Sequence, residues 1–334
     1  MNRLKELKGK WELSLVLFLI IEVLIFGMIN PRFFKINVLM NSANDFVTVA
    51  IIALFMSLVI IVGGIDISMG SVVGLTSVVM GLLWQELGLN IWIALSIAIA
   101  VGALCGAFNG YLVAYIGVQA MVATLGTSFL YAGMSLVIIG FSGISAAEGI
   151  TGFPDSFRAL GHGKPFGIPS SLIIFSTLIL IAYIILHKTT YGRRIFLTGI
   201  NREAAEFSGI KTKLVILSTH VLVGVAAAIS GMYITSYLSS SRADHGATLT
   251  LSVITAVVLG GTAITGGQGS IIGTALASVI IGLMTLGLQM SGLSTRYVGI
   301  GIGILLVVSV AIKSSLGEGN LFSNIKRKLQ LGNG

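Results

Sequence analysis

The chain has 334 residues, of which 55% are hydrophobic, 10% are charged and 43 are glycine. Soluble domains carry about 25% charged residues, so the composition excludes a soluble fold and places the chain among polytopic membrane proteins. The net charge of +8 is no nucleic-acid footprint: residues 1–10, 187–213 and 313–334 hold 14 of the 20 Lys and Arg, and these short segments flank apolar runs, which is the positive-inside pattern.

Apolar runs fall at roughly 12–29, 46–63, 66–83, 91–115, 118–139, 168–186, 214–238, 249–266, 268–291 and 297–312. Each is near the ~20 residues a helix needs to cross a bilayer. The runs lack the alternation of a transmembrane barrel, and other lipid-exposed backbone is too costly, so the fold class is all-α. About ten transmembrane helices are expected, some broken or re-entrant. No small-residue cleavage site closes the run at 12–29, so it reads as the first span. Six runs precede the basic loop at 187–213 and four follow it, so all three basic segments land on one side. Both termini are therefore expected in the cytoplasm.

Two joints between runs are unusually short. Val62–Ser71 reads VGGIDISMGS and Leu259–Ser270 reads LGGTAITGGQGS. The second resembles the first with a two-residue slip, and both lead into an apolar run with glycines four apart: Gly70 and Gly74, then Gly269 and Gly273. Gly102, Gly106 and Gly110 form a third such row. Rows of this kind pack helices closely. Paired glycine-interrupted segments in two halves of a chain also mark broken helices at a translocation pathway. Gly63, Gly64, Asp66, Ser68, Gly260, Gly261, Gly266 and Gly267 are the candidate pathway and gating residues.

Asp66 is expected to be satisfied by nearby amides and by Ser68 and Ser71, capping a helix that starts near Ile67. The second joint has Ala263 at the matching place, so there is no symmetric carboxylate pair. Glu22 is the other acid within a run; it is either functional, or else protonated or held by a hydrogen bond to a neighbouring helix. Cys105 reads as a packing residue. The histidines at 162, 187, 220 and 245 have no metal-ligand spacing.

The loop at 187–213 carries a short helix in outline. Asn201 is a good N-cap, Glu203 suits the first turn, and Ala204, Ala205 and Phe207 propagate helix through to Ser208, with Gly209 as the stop. It presents Glu203, Phe207 and Ile210 either to a soluble partner or simply to water. The loop at 140–167 is polar and rich in turn residues, either a connector or an external docking loop. No G-x-x-x-x-G-K-[ST] phosphate loop occurs, and no catalytic triad stands out.

The segments GGIDISMGS (63–71), GINREAAEFSGI (199–210) and AVVLGGTAITGGQGSIIGT (256–274) resemble the membrane permeases of ribose-type ABC importers, in order and in spacing. The resemblance covers essentially the whole chain and implies a single permease domain over 1–334 in the bacterial inner membrane, with 187–213 as cytoplasmic coupling loop and 140–167 as periplasmic loop. It implies a transport subunit that is not an enzyme and binds no cofactor, with ATP–Mg used by a separate cytoplasmic ATPase that couples at Asn201–Gly209. It also implies a periplasmic substrate-binding protein, contact with membrane lipid and no nucleic acid. WELSLVLFLIIEVLIFGMINPRF (11–33), EGITGFP (148–154), LHKTTYGRRIFLTG (186–199) and SSRADHGA (240–247) are similar to permease subunits of autoinducer-2 importers. Residues 250–256 lack the acid that ribose permeases carry before VVLGG. That departure argues against ribose and against a homodimer; the resemblance implies autoinducer-2 as solute and a second, LsrC-like permease subunit as partner. A permease for ribose or another monosaccharide is the alternative. An ion-coupled secondary transporter and a membrane-embedded enzyme are further ones. Asn109, Gln119, Thr124 and Gln289 are the polar residues on offer to a cavity.

Overall fold

The computed structural model describes residues 2–141, 143, 148–293, 297, 299–305 and 307, with the side chains of 2–10 excepted. Its helices in chain order are α1 Asn2–Ile29, α2 Ile36–Asn41, α3 Ala43–Ile61, α4 Met69–Gln85, α5 Ile91–Tyr111, α6 Ala120–Phe141 and α7 Asp155–His162. They continue with α8 Ser170–Tyr183, α9 Thr190–Ile200, α10 Arg202–Phe207, α11 Thr212–Leu238, α12 Leu249–Leu259 and α13 Ile271–Met290. A two-residue ribbon pairs β1 Ile150–Thr151 with β2 Ser240–Ser241 antiparallel. Among the described residues, seven helices are long and apolar enough to cross a membrane, and α4 and α12 are shorter apolar helices. The chain is thus an all-α, multi-pass membrane protein. Of the run expected at 297–312, residues 299–305 are helical and the remainder lies largely outside the described residues, as does the C-terminal basic segment.

α3 is the central post. Its sequence is apolar on every face, as a helix buried all round must be, and 89% of its membrane stretch is buried. In contrast, α1 is 17% buried over its span and presents most of its length outward. Helix directions follow from the contacts. Gly102, Gly106 and Gly110 of α5 face Gly224, His220 and Leu217 of α11, so these two run antiparallel. A Cβ at Gly102 would lie 2.5 Å from the Gly224 carbonyl oxygen. The row is therefore a helix-packing device that lets two backbones touch. The other rows work in the same way. Gly70 and Gly74 face the backbone of Gly246 and Ala243, and Gly273 faces Gly260.

Short polar bonds tie the helices together at both ends and in between. Ser230 Oγ donates to the Thr48 carbonyl at 3.0 Å, Tyr233 OH to Asn44 Oδ1 at 2.9 Å, and Asn30 Nδ2 to the Met290 carbonyl at 3.1 Å. Near the basic end of α1, Trp11 Nε1 donates to the Leu259 carbonyl at 3.0 Å and Ser270 Oγ donates to Glu12.

Several sequence expectations change. The helix expected to begin near Ile67 begins at Met69, and 64–67 are non-helical. The span expected at 249–266 keeps only eleven helical residues, about 16 Å of rise against a hydrocarbon core of about 30 Å. The non-helical stretch 242–248 precedes it and lies along α4 through the close approaches at Gly70 and Gly74. Non-helical backbone thus flanks α12 on both sides, over 242–248 and 260–270. The loop at 140–167 is not plain connection. It contains α7, which docks on α11 where Gly161 N donates to Ser236 Oγ at 2.8 Å, and β1, which pairs with β2. The loop at 187–213 contains two helices, not one. α9 was unforeseen, with Thr189 as its N-cap accepting from Gly192 N at 3.1 Å.

Candidate functional site

The short helix α10 forms as its residues dictate. Asn201 caps it, accepting from Ala204 N at 2.9 Å. Gly209 ends it at φ +80, a backbone conformation that costs glycine nothing, and Gly209 N and Ile210 N return to the carbonyls of Glu206 and Ala205. Of the residues expected to couple, Asn201, Glu203, Ala204, Phe207, Ser208 and Gly209 are exposed. Ala205 is buried and anchors the helix instead. Phe207 is 93% exposed, an expensive way to leave a phenyl ring in water, since burying one is worth about 1.5–3 kcal/mol. Glu206 ties the helix to α11 by accepting from the Thr212 hydroxyl, and Arg202 lies 3.4 Å from it. These two partners, Thr212 foremost, hold the Glu206 carboxyl below the usual carboxylate range.

The first joint is stitched to two helices. Asp66 is 2% exposed. Its Oδ1 accepts from Ser68 N at 2.9 Å and from Ser68 Oγ at 2.7 Å, and its Oδ2 accepts from Asn109 Nδ2 at 3.3 Å. Asn109 also donates to Ser68 Oγ at 2.7 Å and accepts from Tyr131 OH at 3.3 Å. On the other flank the Thr124 hydroxyl accepts from Ile67 N at 3.0 Å and lies 3.2 Å from the Ile65 carbonyl. Asp66 is thus satisfied as expected, but by Ser68 and Asn109, and not by Ser71. Asn109 and Thr124 are buried and spent on this joint. Gln119 and Gln289 are exposed near opposite ends of the bundle. Glu22 is buried, and neither carboxyl oxygen has a hydrogen-bond partner among the described residues, so of the alternatives for it the bond to a neighbouring helix is not made there.

The second joint is a glycine-rich turn that folds back on the first. Gly267 N donates to the Ile61 carbonyl, the last of α3, at 2.8 Å. A Cβ at Gly266 would lie 3.3 Å from Gly63 Cα. Gly261 packs beneath the Trp11 ring, and Gly260 against Gly273 and Thr274. The two joints that resemble each other in sequence therefore meet in space.

Above the first joint a cleft of about 400 Å³ opens between the start of α4, one face of α6 and the stretch before α12. Ile67, Gly70 and Ser71, Ser128 and Ser135, and Asp244 and Thr250 are among its lining residues. None of the eight pathway candidates lines it; they sit beside and beneath it. Ser128 and Ser135 donate to the carbonyls of Leu125 and Ala132 at 2.6 and 2.8 Å, which leaves oxygen lone pairs for a guest. Arg242 grips Asp244 with two bonds of 2.9 and 2.7 Å, so the acid in the cleft carries its own counter-ion. Such a lining suits a neutral, hydroxyl-bearing solute better than an ion. Sequence reasoning missed Ser128 and Ser135, although their seven-residue spacing puts them on one face of an otherwise apolar helix.

Comparisons with known proteins give the family. The family model described as "Branched-chain amino acid transport system / permease component" matches residues 38–310. The autoinducer 2 import system permease protein LsrD of Enterobacter sp. (strain 638) is 42% identical over 308 residues, covering 92% of this chain and 94% of that one. The LsrD protein of Klebsiella pneumoniae is 42% identical over 309 residues, covering 92% and 93%. That of Salmonella typhimurium is 41% identical over 304 residues, covering 91% of each.

Proposed function

We propose, because this chain belongs to the family of branched-chain amino acid transport system permease components, that it is the LsrD-like permease subunit of an autoinducer-2 importer in the bacterial inner membrane. The reading has three parts. Energy comes from a separate ATPase that docks on α10. The cleft at Ser71, Ser128, Ser135 and Thr250 is this chain's half of the solute pathway, and a second, LsrC-like permease subunit supplies the other half. A periplasmic binding protein delivers the solute on the side of α7 and the β1–β2 ribbon.

The observation that carries the reading is the exposed knob at Phe207. A capped two-turn helix at the basic end of the molecule presents a phenyl ring to water beside Glu203, and an exposed aromatic of this kind is an interface residue waiting for its partner. The LsrD relatives supply the solute. A hydroxyl-lined cleft with a neutralised acid is compatible with a small sugar-like molecule.

The test is reconstitution of the chain with its cognate ATPase, second permease subunit and binding protein in vesicles, followed by uptake of autoinducer-2 against ribose. ATP-dependent uptake of autoinducer-2 in preference to ribose supports the reading. Preference for ribose would move the solute to a monosaccharide. Glu203→Ala with Phe207→Ala should leave the chain in the membrane but abolish ATPase co-purification and uptake. Full uptake by that double variant would refute docking at α10.

A further inference from the structure

Four backbone segments meet at one point of the basic end with no side chain between them. Gly199, the penultimate residue of α9, lies against the last carbonyl of α3. A Cβ there would overlap the Ile61 carbonyl oxygen and lie 2.7 Å from Gly267 N. That same oxygen accepts the Gly267 N–H at 2.8 Å. A Cβ at Gly266 would lie 3.1 Å from the Gly199 carbonyl oxygen and 3.3 Å from Gly63 Cα. Thus α9, α3 and both glycine joints are in mutual contact through Gly63, Gly199, Gly266 and Gly267. Ile200 closes the contact from outside, since its Cα would be 3.2 Å from a Cβ on Gly267.

The same residues stand next to α10. Only Asn201 separates α9 from α10. It belongs to both, since its N–H donates to the Leu197 carbonyl at 3.2 Å while its side chain caps α10. A displacement of α10 therefore reaches Gly199 through one doubly bonded residue. From Gly63 the chain needs four residues to reach Ile67, and three more to reach Gly70, both on the wall of the cleft. Side chains can absorb a displacement by changing rotamer; a backbone-to-backbone contact cannot, and close-packed interiors transmit strain. The tie of Glu206 to Thr212 holds α10 to α11, but it is a side-chain contact at an exposed edge.

We infer that Gly199 is a positioning residue for transport: it locks α9 to both joints so that α10, α9, the end of α3 and the joints move as one body when the ATPase moves α10. This rests on the docking of an ATPase at α10, and the two can fail separately.

The experiment uses the full importer reconstituted with ATPase, second permease subunit and binding protein. Three quantities are read: ATPase co-purification, ATP hydrolysis in the presence of loaded binding protein, and autoinducer-2 taken up per ATP hydrolysed. Gly199→Ala leaves α10 and its cap intact, so co-purification should match wild type. Uptake per ATP should fall about ten- to a hundredfold, the scale on which a small displacement remote from the working site acts. Wild-type uptake per ATP would overturn the inference. Lost co-purification in a chain present at normal level would count against it too, because the effect would then lie in docking. A second variant covers failure of the first to reach the membrane. Ile200→Cys with Gly267→Cys places two thiols within disulfide reach, and Cys105, the one native cysteine, is buried. Oxidation should form the crosslink and leave uptake at its reduced level, because the two sites do not move relative to each other. A block that reduction reverses would show that they slide, and would refute the one-body lever.

Discussion

Replacing Asp66 tests whether the first joint is a built structure or a passive link. Asp66→Ala removes both carboxyl oxygens and three contacts, from Ser68 N at 2.9 Å, Ser68 Oγ at 2.7 Å and Asn109 Nδ2 at 3.3 Å. The Ser68 hydroxyl can turn to another acceptor while still accepting from Asn109, whose bond to it is 2.7 Å. Two donors are then stranded, Ser68 N–H and one Asn109 N–H. A buried donor left unpaired costs about 1–3 kcal/mol, whereas a side-chain bond between membrane helices averages only about 0.6 kcal/mol. Charging the first figure to the Ser68 amide and the second to Asn109 gives a loss of about 2–4 kcal/mol. Asp66→Asn keeps the acceptor for Ser68 and turns an amide toward Asn109, so it should cost only about 1 kcal/mol. Thermal unfolding of the purified chain in detergent should therefore rank wild type above Asn and Asn above Ala. Uptake in the reconstituted importer should fall in the same order. Adding Asn109→Ala to Asp66→Ala should cost less than the sum of the two singles, because they share a bond. Equal melting for all three Asp66 forms would refute the reasoning, since the joint would then not depend on the carboxyl group.

Two further outcomes follow from packing and charge. Gly106 faces the His220 backbone across the α5–α11 contact, so Gly106→Leu should force the helices apart at a cost of about 1–3 kcal/mol or more, seen as reduced monodisperse yield in detergent; a wild-type yield and melting point would mean the contact is dispensable. Glu206 is held below its ordinary 4.5 by Thr212 first and Arg202 next, so its contribution to anchoring α10 is present above that value and is lost as pH falls below it through the folded-state value. A spin label at Ser208 should gain mobility only at pH below about 4.5, and Glu206→Gln should abolish that pH dependence; mobility independent of pH in the wild type would remove Glu206 as the anchor.

The sequence carried the spans well where hydrophobicity alone decides. The limits of α6, α11 and α13 shift by at most three residues from the apolar runs. It failed where apolar residues sit in non-helical backbone. Ala263 and Ile264 raise the hydropathy of 249–266 as any helix would, but they lie in a turn whose Gly267 N–H bonds to Ile61, some two hundred residues away in sequence. No local pattern reports that contact. α10 was legible because its cap, first turn and stop are local signals. α9 carries a local signal too, Thr189 as N-cap, but its role rests on what Gly199 touches. Asn109 and Thr124 looked like pathway residues for a sound reason, that polar groups in membrane helices are functional or satisfied. Here the second half of that rule applies, because the non-helical backbone of 64–67 needed partners.

The same rule singles out Glu22, a buried acid in a described span whose carboxyl oxygens have no hydrogen-bond partner among the described residues. An ion-coupled carrier needs a titratable group on the solute pathway. Asp66 is enclosed by Ser68 and Asn109, and Asp244 in the cleft is gripped by Arg242. Glu22 sits on α1, away from the residues that line the cleft. A chain driven through α10 has no need of its charge, so Glu22→Gln, which keeps the shape and removes the acid, should leave ATP-driven uptake within about twofold of wild type. Should that variant lose uptake while retaining the ATPase and the binding protein, and should a protonophore abolish wild-type uptake with ATP still present, the power would come from protons crossing this chain, and the lever from α10 to the joints would carry no work.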